Sequence, residues 1–147
     1  MFFYLTIYLH ISNNIINHTY QVNTELENLI SYVKDAETNQ RGYIISRSDN
    51  FLKIYQSKHA KIDATYIRLE KLTKGNLRQR KNIKEIQKLT QKAYHSFEEA
   101  IKYSDPKNYD EQKLKSYLQF GRILMENIRF QVDEMKLTET KIIKQRQ

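Results

Sequence analysis

Residues 35 to 46 read Asp-Ala-Glu-Thr-Asn-Gln-Arg-Gly-Tyr-Ile-Ile-Ser, and they decide the fold because a helical apolar stripe enters them without losing phase. Counting back from Tyr43, the positions Val22, Leu26, Leu29, Val33, Ala36, Gln40 and Tyr43 are spaced 4, 3, 4, 3, 4, 3, the repeat of a helix packed in a bundle. Gln40 therefore takes a place where an apolar side chain belongs. Glu37 and Arg41 stand at i and i+4 with the acid nearer the helix N-terminus, an order that favours an intrahelical ion pair by about 0.3 kcal/mol. Gly42 sits in the same turn, at a cost of about 1 kcal/mol relative to Ala. Local propensity does not account for such a block, which leaves packing, specificity or function as its reason.

Outward from this stretch, composition points to long helices with few turns. The chain has 147 residues, enough for one domain with a sizeable core, and only 3 Gly and 1 Pro interrupt it. The absence of cysteine excludes disulfides and a thiolate metal site. Lys and Arg number 25 against 17 Asp and Glu, a net charge of +8, which raises nucleic acid or anionic membrane as partners, although solvated helix faces explain the excess equally well. Phe2 to Leu9 is uncharged and apolar apart from Thr6, yet far short of the ~20 residues that span a bilayer. It lacks the basic start and cleavage site of a signal peptide, and reads as the tail of a longer apolar segment.

The first helix is predicted over about 12–46. Ser46-Arg47-Ser48-Asp49-Asn50 breaks the period, with Ser48 or Asp49 able to cap a second helix over 49–74. That helix carries Phe51, Tyr55, His59, Ile62, Tyr66 and Leu69 on one face, and Gly75 is placed to close it in the left-handed conformation. Asn76 can cap a third helix, 76–104, with the stripe Ile83, Ile86, Thr90, Ala93, Phe97, Ala100 and Ser104. Asp105-Pro106 ends it. A fourth, 109–147, aligns Leu114, Tyr117, Gly121, Leu124, Ile128, Gln131 and Met135, and Leu118, Met125 and Val132 widen that stripe enough to face two neighbours.

Four helices joined by short links form an antiparallel up-down-up-down bundle, all-α, in a single domain spanning 1–147. At ~1.5 Å per residue the second helix reaches down only to about residue 20 of the first, and the Gly75 turn falls level with about residue 136. Residues 1 to 20 and 137 to 147 then form a two-helix extension from one end, with 1–11 as the remnant of a preceding transmembrane or juxtamembrane helix. A soluble protein gains little from such a stalk, whereas a domain held between two membrane spans needs one. The same counting puts Gln40 in one layer with Tyr55, Phe97 and Leu114.

The block Asp35-Ala36-Glu37-Thr38-x-Gln40-Arg41-Gly42-Tyr43 resembles the signature of the CHASE-type extracellular sensor domain of the third class, a four-helix input module of bacterial histidine kinases, diguanylate cyclases and chemoreceptors. Asn39 stands where that family usually has Gly, and Ser46-Arg47-Ser48 where Thr-Gly-Asp is common. His18-Thr19, and Gly121-x-x-x-Met125-x-x-Ile128 followed by Met135 and Glu139, are weaker matches in the same order. The resemblance implies a non-enzymatic sensory domain between two transmembrane helices of the bacterial inner membrane, on the periplasmic or extracellular side. It also implies a homodimer and a cytoplasmic output domain, a histidine kinase first among the candidates.

No constellation of reactive groups suggests catalysis, and no cofactor or metal is expected. There is no phosphate loop, no Cys nucleophile and no His-Glu-x-x-His, and the histidines at 10, 18, 59 and 95 are never i and i+4 to one another. His59, on the second helix's stripe, reads as a core residue. His95 lacks the neighbours of a kinase phosphoacceptor.

The block at 35–46 supports two readings. In one, Gln40 fixes helix register and Glu37 with Arg41 is a partly covered ion pair that specifies geometry more than it stabilises. In the other, the block belongs to a small-molecule pocket at the membrane-distal end, with Arg41, Tyr43, Tyr55 and Tyr117 as its candidates and Arg41 available to an anion. Ser31, Asp35, Thr38 and Gly42 form a small-residue face open to a second copy, or a plain solvated face. The basic residues Arg68, Lys71, Lys74, Arg78, Arg80, Lys81, Lys84, Lys88 and Lys92 crowd the second turn. Without aromatics interleaved among them they do not read as a nucleic-acid site, and lipid headgroups or solvent are their expected surroundings. The runner-up function is a soluble helical interaction or nucleic-acid-binding module using this 68–92 hairpin.

Overall fold

A computed structural model describes residues 2–146; the ends of the expected span, Met1 and Gln147, lie outside the described residues. Four helices follow one another: α1 Phe2–Ser46, α2 Asp49–Leu72, α3 Leu77–Ser104 and α4 Glu111–Arg146. They form an all-α four-helix bundle. Cross-helix partners set the directions. Asp35 with Lys58 and Glu25 with Arg68 run α1 against α2, and Gln79 with Glu139 and Tyr103 with Tyr117 run α3 against α4. Gln40 with Phe97 and Arg47 with Ser104 run α1 along α3.

The core follows the stripes read from the sequence, without Phe51 and His59 of α2, which are exposed, and Leu114, Tyr117 and Gln131 of α4, which are half-buried. Val22, Leu26, Leu29, Val33 and Ala36 of α1, Ile62 and Leu69 of α2, Ile83, Ile86, Ala93 and Phe97 of α3, and Ile128, Val132 and Met135 of α4 are almost wholly buried. α1 packs most closely on α2 and α3 on α4, while α2 and α3 touch only sparsely. Side-chain size explains the difference. Gly42 lets the Phe51 ring lie on the α1 backbone, where an added Cβ would come within 2.5 Å of it. Gly121 admits the Phe97 ring on the α4 side. Between α2 and α3, by contrast, stand Tyr55 on Tyr94 at 5.5 Å and His59 on Tyr94 at 4.7 Å, and such rings hold backbones apart.

Several expectations need correction. α1 runs unbroken from Phe2, so residues 2–11, expected as the remnant of a preceding helix, are continuous with it, and α4 begins at Glu111 and not at 109 because Asp110 accepts from the Lys113 amide at 3.1 Å and caps it. α2 ends at Leu72, with Thr73 folded back so that its N–H and hydroxyl both reach the Leu69 carbonyl. Gly75 is not left-handed; among the described residues the positive φ belongs to Arg47, at 56°. Leu114 is not in the Gln40 layer. Phe97 faces Gly121 instead, since residues 105–110 turn the chain without climbing and shift the α4 register by two helical turns. His59 is exposed beside Asp63 at 3.3 Å, because the buried stripe steps directly from Tyr55 to Ile62. The small face of α1 is not free either, with Asp35 on Lys58 and Gly42 beneath Phe51.

Asn76 caps α3 as expected, its Oδ1 accepting from the Gln79 amide at 3.1 Å. The unequal lengths also hold: at ~1.5 Å per residue, α1 is about 68 Å long and α2 about 36 Å. His18 Nε2 meets the Leu72 carbonyl at 2.5 Å, so α2 ends level with His18 and residues 2–17 project beyond it.

Candidate functional site

The distal joint, where the 35–46 block meets the rest of the bundle, is built around Gln40. Its side chain is 1% exposed. Its Nε2 donates to the Phe97 carbonyl at 3.3 Å, tying α1 to α3, and its Oε1 has no donor among the described residues. Leaving such an acceptor unmet costs on the order of 1 kcal/mol or more. Two turns on, Arg47 is held in the left-handed region by two contacts: its Nη2 donates to Ser104 Oγ at 2.5 Å and its guanidinium lies 5.1 Å from the Tyr43 ring centroid. This is the position where the resembled family commonly has Gly, and the φ of 56° supplies the physical reason.

The ion pair expected between Glu37 and Arg41 is not formed. Both residues are half-buried, and among the described residues no carboxylate lies within 4.0 Å of Arg41. Arg41 instead faces a cleft of about 490 Å³ between α1 and α4 that it shares with Ile44, Ile45, Leu118, Gln119 and Arg122. Arg122 carried no signal in the sequence, because it lies off its helix's stripe and meets Arg41 only through the α1–α4 register.

The other ligand candidates do not converge on that cleft. Tyr43 lies under Arg47. Tyr55 is buried between α2 and α3, its hydroxyl donating to Glu98 at 2.8 Å, and burial with the adjacent Glu98 carboxylate pushes the phenol far above the usual tyrosine range. Burial raises the phenols of Tyr66 and Tyr94 as well, so all three tyrosines of this seam stay protonated. Tyr117 stacks on Tyr103 at 5.9 Å on the outer α3–α4 face.

A second polar cluster closes the base of the bundle. Glu139 is 1% exposed. It accepts from Thr19 Oγ1 at 3.1 Å and from Gln79 Nε2 at 2.8 Å. Gln79 also donates to the Met135 carbonyl at 3.1 Å and accepts from Asn82 at 2.8 Å. His18 bridges the Leu72 carbonyl and the neighbourhood of Glu139, its Nδ1 4.0 Å from the carboxylate. A carbonyl only accepts, so His18 Nε2 carries the proton that points to α2. His18 and Thr19 of α1, Gln79 of α3 and Glu139 of α4 thus gather in one polar node, and the Leu72 carbonyl of α2 joins it through His18. The signal for it was present in the sequence, since Gln79 lies four residues before Ile83 and Glu139 four after Met135, both polar residues continuing an apolar stripe.

Neither cluster holds a catalytic set, and no group of three or more His, Cys, Asp or Glu among the described residues is arranged to hold a metal ion. No curated protein and no solved structure matches the chain. The model of the CHASE3 domain matches residues 12–147, and the chain belongs to that family of extracellular, non-catalytic sensory domains, which occur in receptors such as histidine kinases and cyclases.

Proposed function

We propose that this domain is the extracytoplasmic input of a bacterial transmembrane receptor, a sensor histidine kinase, in which a stimulus shifts α1 and α4 and the shift passes to a cytoplasmic output domain. The observation that carries this reading is the asymmetry of the bundle. Only α1 and α4 run past the base knot, both at the same end. The projecting part of α1 exposes Phe2, Phe3, Tyr4, Leu5, Tyr8 and Leu9, each more than half open, a surface suited to a lipid interface. No helix of the described residues is long and apolar enough to cross a membrane, so in this reading the spans lie outside them. The basic hairpin around Gly75 then sits at the headgroup level.

The receptor acts as a homodimer in this reading. With the Gly42 face of α1 taken by Phe51, the support moves to α4, where Ile123, Phe130 and Leu137 recur every seven residues beside Phe120 and are all about half exposed, the spacing of a helix–helix seam.

The test uses the absence of cysteine. Ser57→Cys, at an exposed position of α2, in the full-length receptor in intact cells is expected to react with a membrane-impermeant maleimide without permeabilisation of the inner membrane. Labelling that requires permeabilisation would overturn the extracytoplasmic placement.

A further inference from the structure

We propose that the cleft between the last turns of α1 and the first turns of α4 binds a small organic oxyanion, an acid group on an apolar body, with Arg41 and Arg122 holding the acid. Four observations converge on it. Two guanidiniums from different helices line one concavity, with Gln119 as its remaining polar wall. Neither arginine has a carboxylate within 4.0 Å among the described residues, so neither fork is already taken. No acid is among the residues that line the cleft, and Glu37 and Glu126, one helical turn from Arg41 and Arg122, are the nearest acids along their own helices, so the lining itself carries two positive charges. The rest of the wall is Ile44, Ile45 and Leu118, and Ile45 is 86% exposed, an apolar surface left in water beside two cations.

The chemistry follows from the lining. A guanidinium presents a planar fork that matches a carboxylate or phosphate in a bidentate manner. Two forks facing one space repel each other until an anion enters between them. The isoleucines and Leu118 accept an aliphatic or aromatic body, and about 490 Å³ is within the range of small-molecule sites. An inorganic anion satisfies only the arginines and leaves the apolar wall wet, so the site favours organic acids. Resting on the receptor reading above, an occupant would clamp α1 to α4, the two helices that run on past the base. The binding itself does not depend on that reading.

The experiment titrates the protein with phthalate, benzoate, phenyl phosphate and inorganic phosphate at constant ionic strength, following the midpoint of thermal unfolding and the amide resonances of Ile44, Ile45 and Leu118. The aromatic acids are expected to raise the midpoint and move those three resonances, phthalate most, and inorganic phosphate to act at least tenfold more weakly. Arg41→Gln at a half-buried position and Arg122→Gln at an exposed one, both outside the core, are each expected to weaken binding about tenfold, and the double variant to abolish it while retaining the helical circular dichroism of the parent. Binding unchanged in the double variant, or no response to any of the four probes, would overturn the proposal. Phenyl phosphate outranking both carboxylates would assign the site to phosphate esters, and the reverse order to carboxylic acids. The cysteine labelling described above reports on topology alone, so either reading can fail without the other.

Discussion

At the base of the bundle the buried carboxylate of Glu139 accepts from Thr19 and Gln79, whereas at the distal joint the equally buried amide oxygen of Gln40 accepts from nothing among the described residues. Both residues sit where an apolar side chain would continue a stripe. The base resolves the conflict with donors from α1 and α3 and ties in the end of α2 through His18, which makes it a fixed node. The distal joint resolves it only in part: Gln40 has a single long bond, Arg41 lacks an acid, and Arg47 is bent into the left-handed region. A domain that must respond to something can do so cheaply where polar capacity is unmet, and only at high cost where every bond is made. On the receptor reading proposed above, the difference puts the responsive end away from the membrane-facing end, with α1 and α4 connecting the two.

The largest expected effect tests the base. Glu139→Ala leaves the Thr19 hydroxyl and the Gln79 amide without their acceptor and opens a cavity, and should cost about 3 kcal/mol. For a chain of this size that lowers the thermal midpoint by about 10 °C. A midpoint unchanged within a degree or two would remove the claim that this knot is a fixed node.

Next in size is the close approach that shapes the distal joint. Gly42→Ala gains helix propensity, but its methyl would meet Phe51 ring atoms at 2.5, 2.6 and 2.9 Å. A net loss of about 1 kcal/mol is expected in urea denaturation, turning into a gain of similar size when Phe51→Ala is already present. If Gly42→Ala stabilised in both backgrounds, the ring would not be holding α2 against α1.

Smaller still is Arg47→Gly, which removes the left-handed penalty on a residue with a Cβ and gives up the Ser104 and Tyr43 contacts. A gain of about 0.5 kcal/mol is expected. A loss would show that those contacts outweigh the backbone strain. Finally, Gln40→Leu exchanges a half-satisfied amide for an apolar group of similar size and should change stability by no more than about 0.5 kcal/mol. A cost above about 2 kcal/mol would mean that the Gln40 amide is as well met as the carboxylate of Glu139, and the contrast between the two ends would collapse.

Much of the molecule was legible before any coordinates. The stripes of α1 and α3 recur in the core almost position for position, the Asn76 cap is present, and the end of α2 lies beside His18, within two residues of the level counted along the helices. The misplaced features share a cause. Leu114, His59, Gly75 and the Glu37–Arg41 pair were assigned by extending a local rule across a turn or along a face, and each depends on what a neighbouring helix puts there. The base knot was half legible, since Glu139 and Thr19 stood among the weaker family matches while Gln79 did not.

The sequence by itself determined that there are four helices, which face of each is apolar, and which family the chain resembles, because helical periodicity and capping act within a few residues of chain. Tertiary structure alone decided that Gly121 faces Phe97, that Arg47 takes the left-handed turn, that Gln79 meets Glu139, and that Arg122 stands across a cleft from Arg41. Those facts depend on inter-helix register, which is set jointly by turn length and by the bulk of side chains far apart in the chain. No local pattern encodes it.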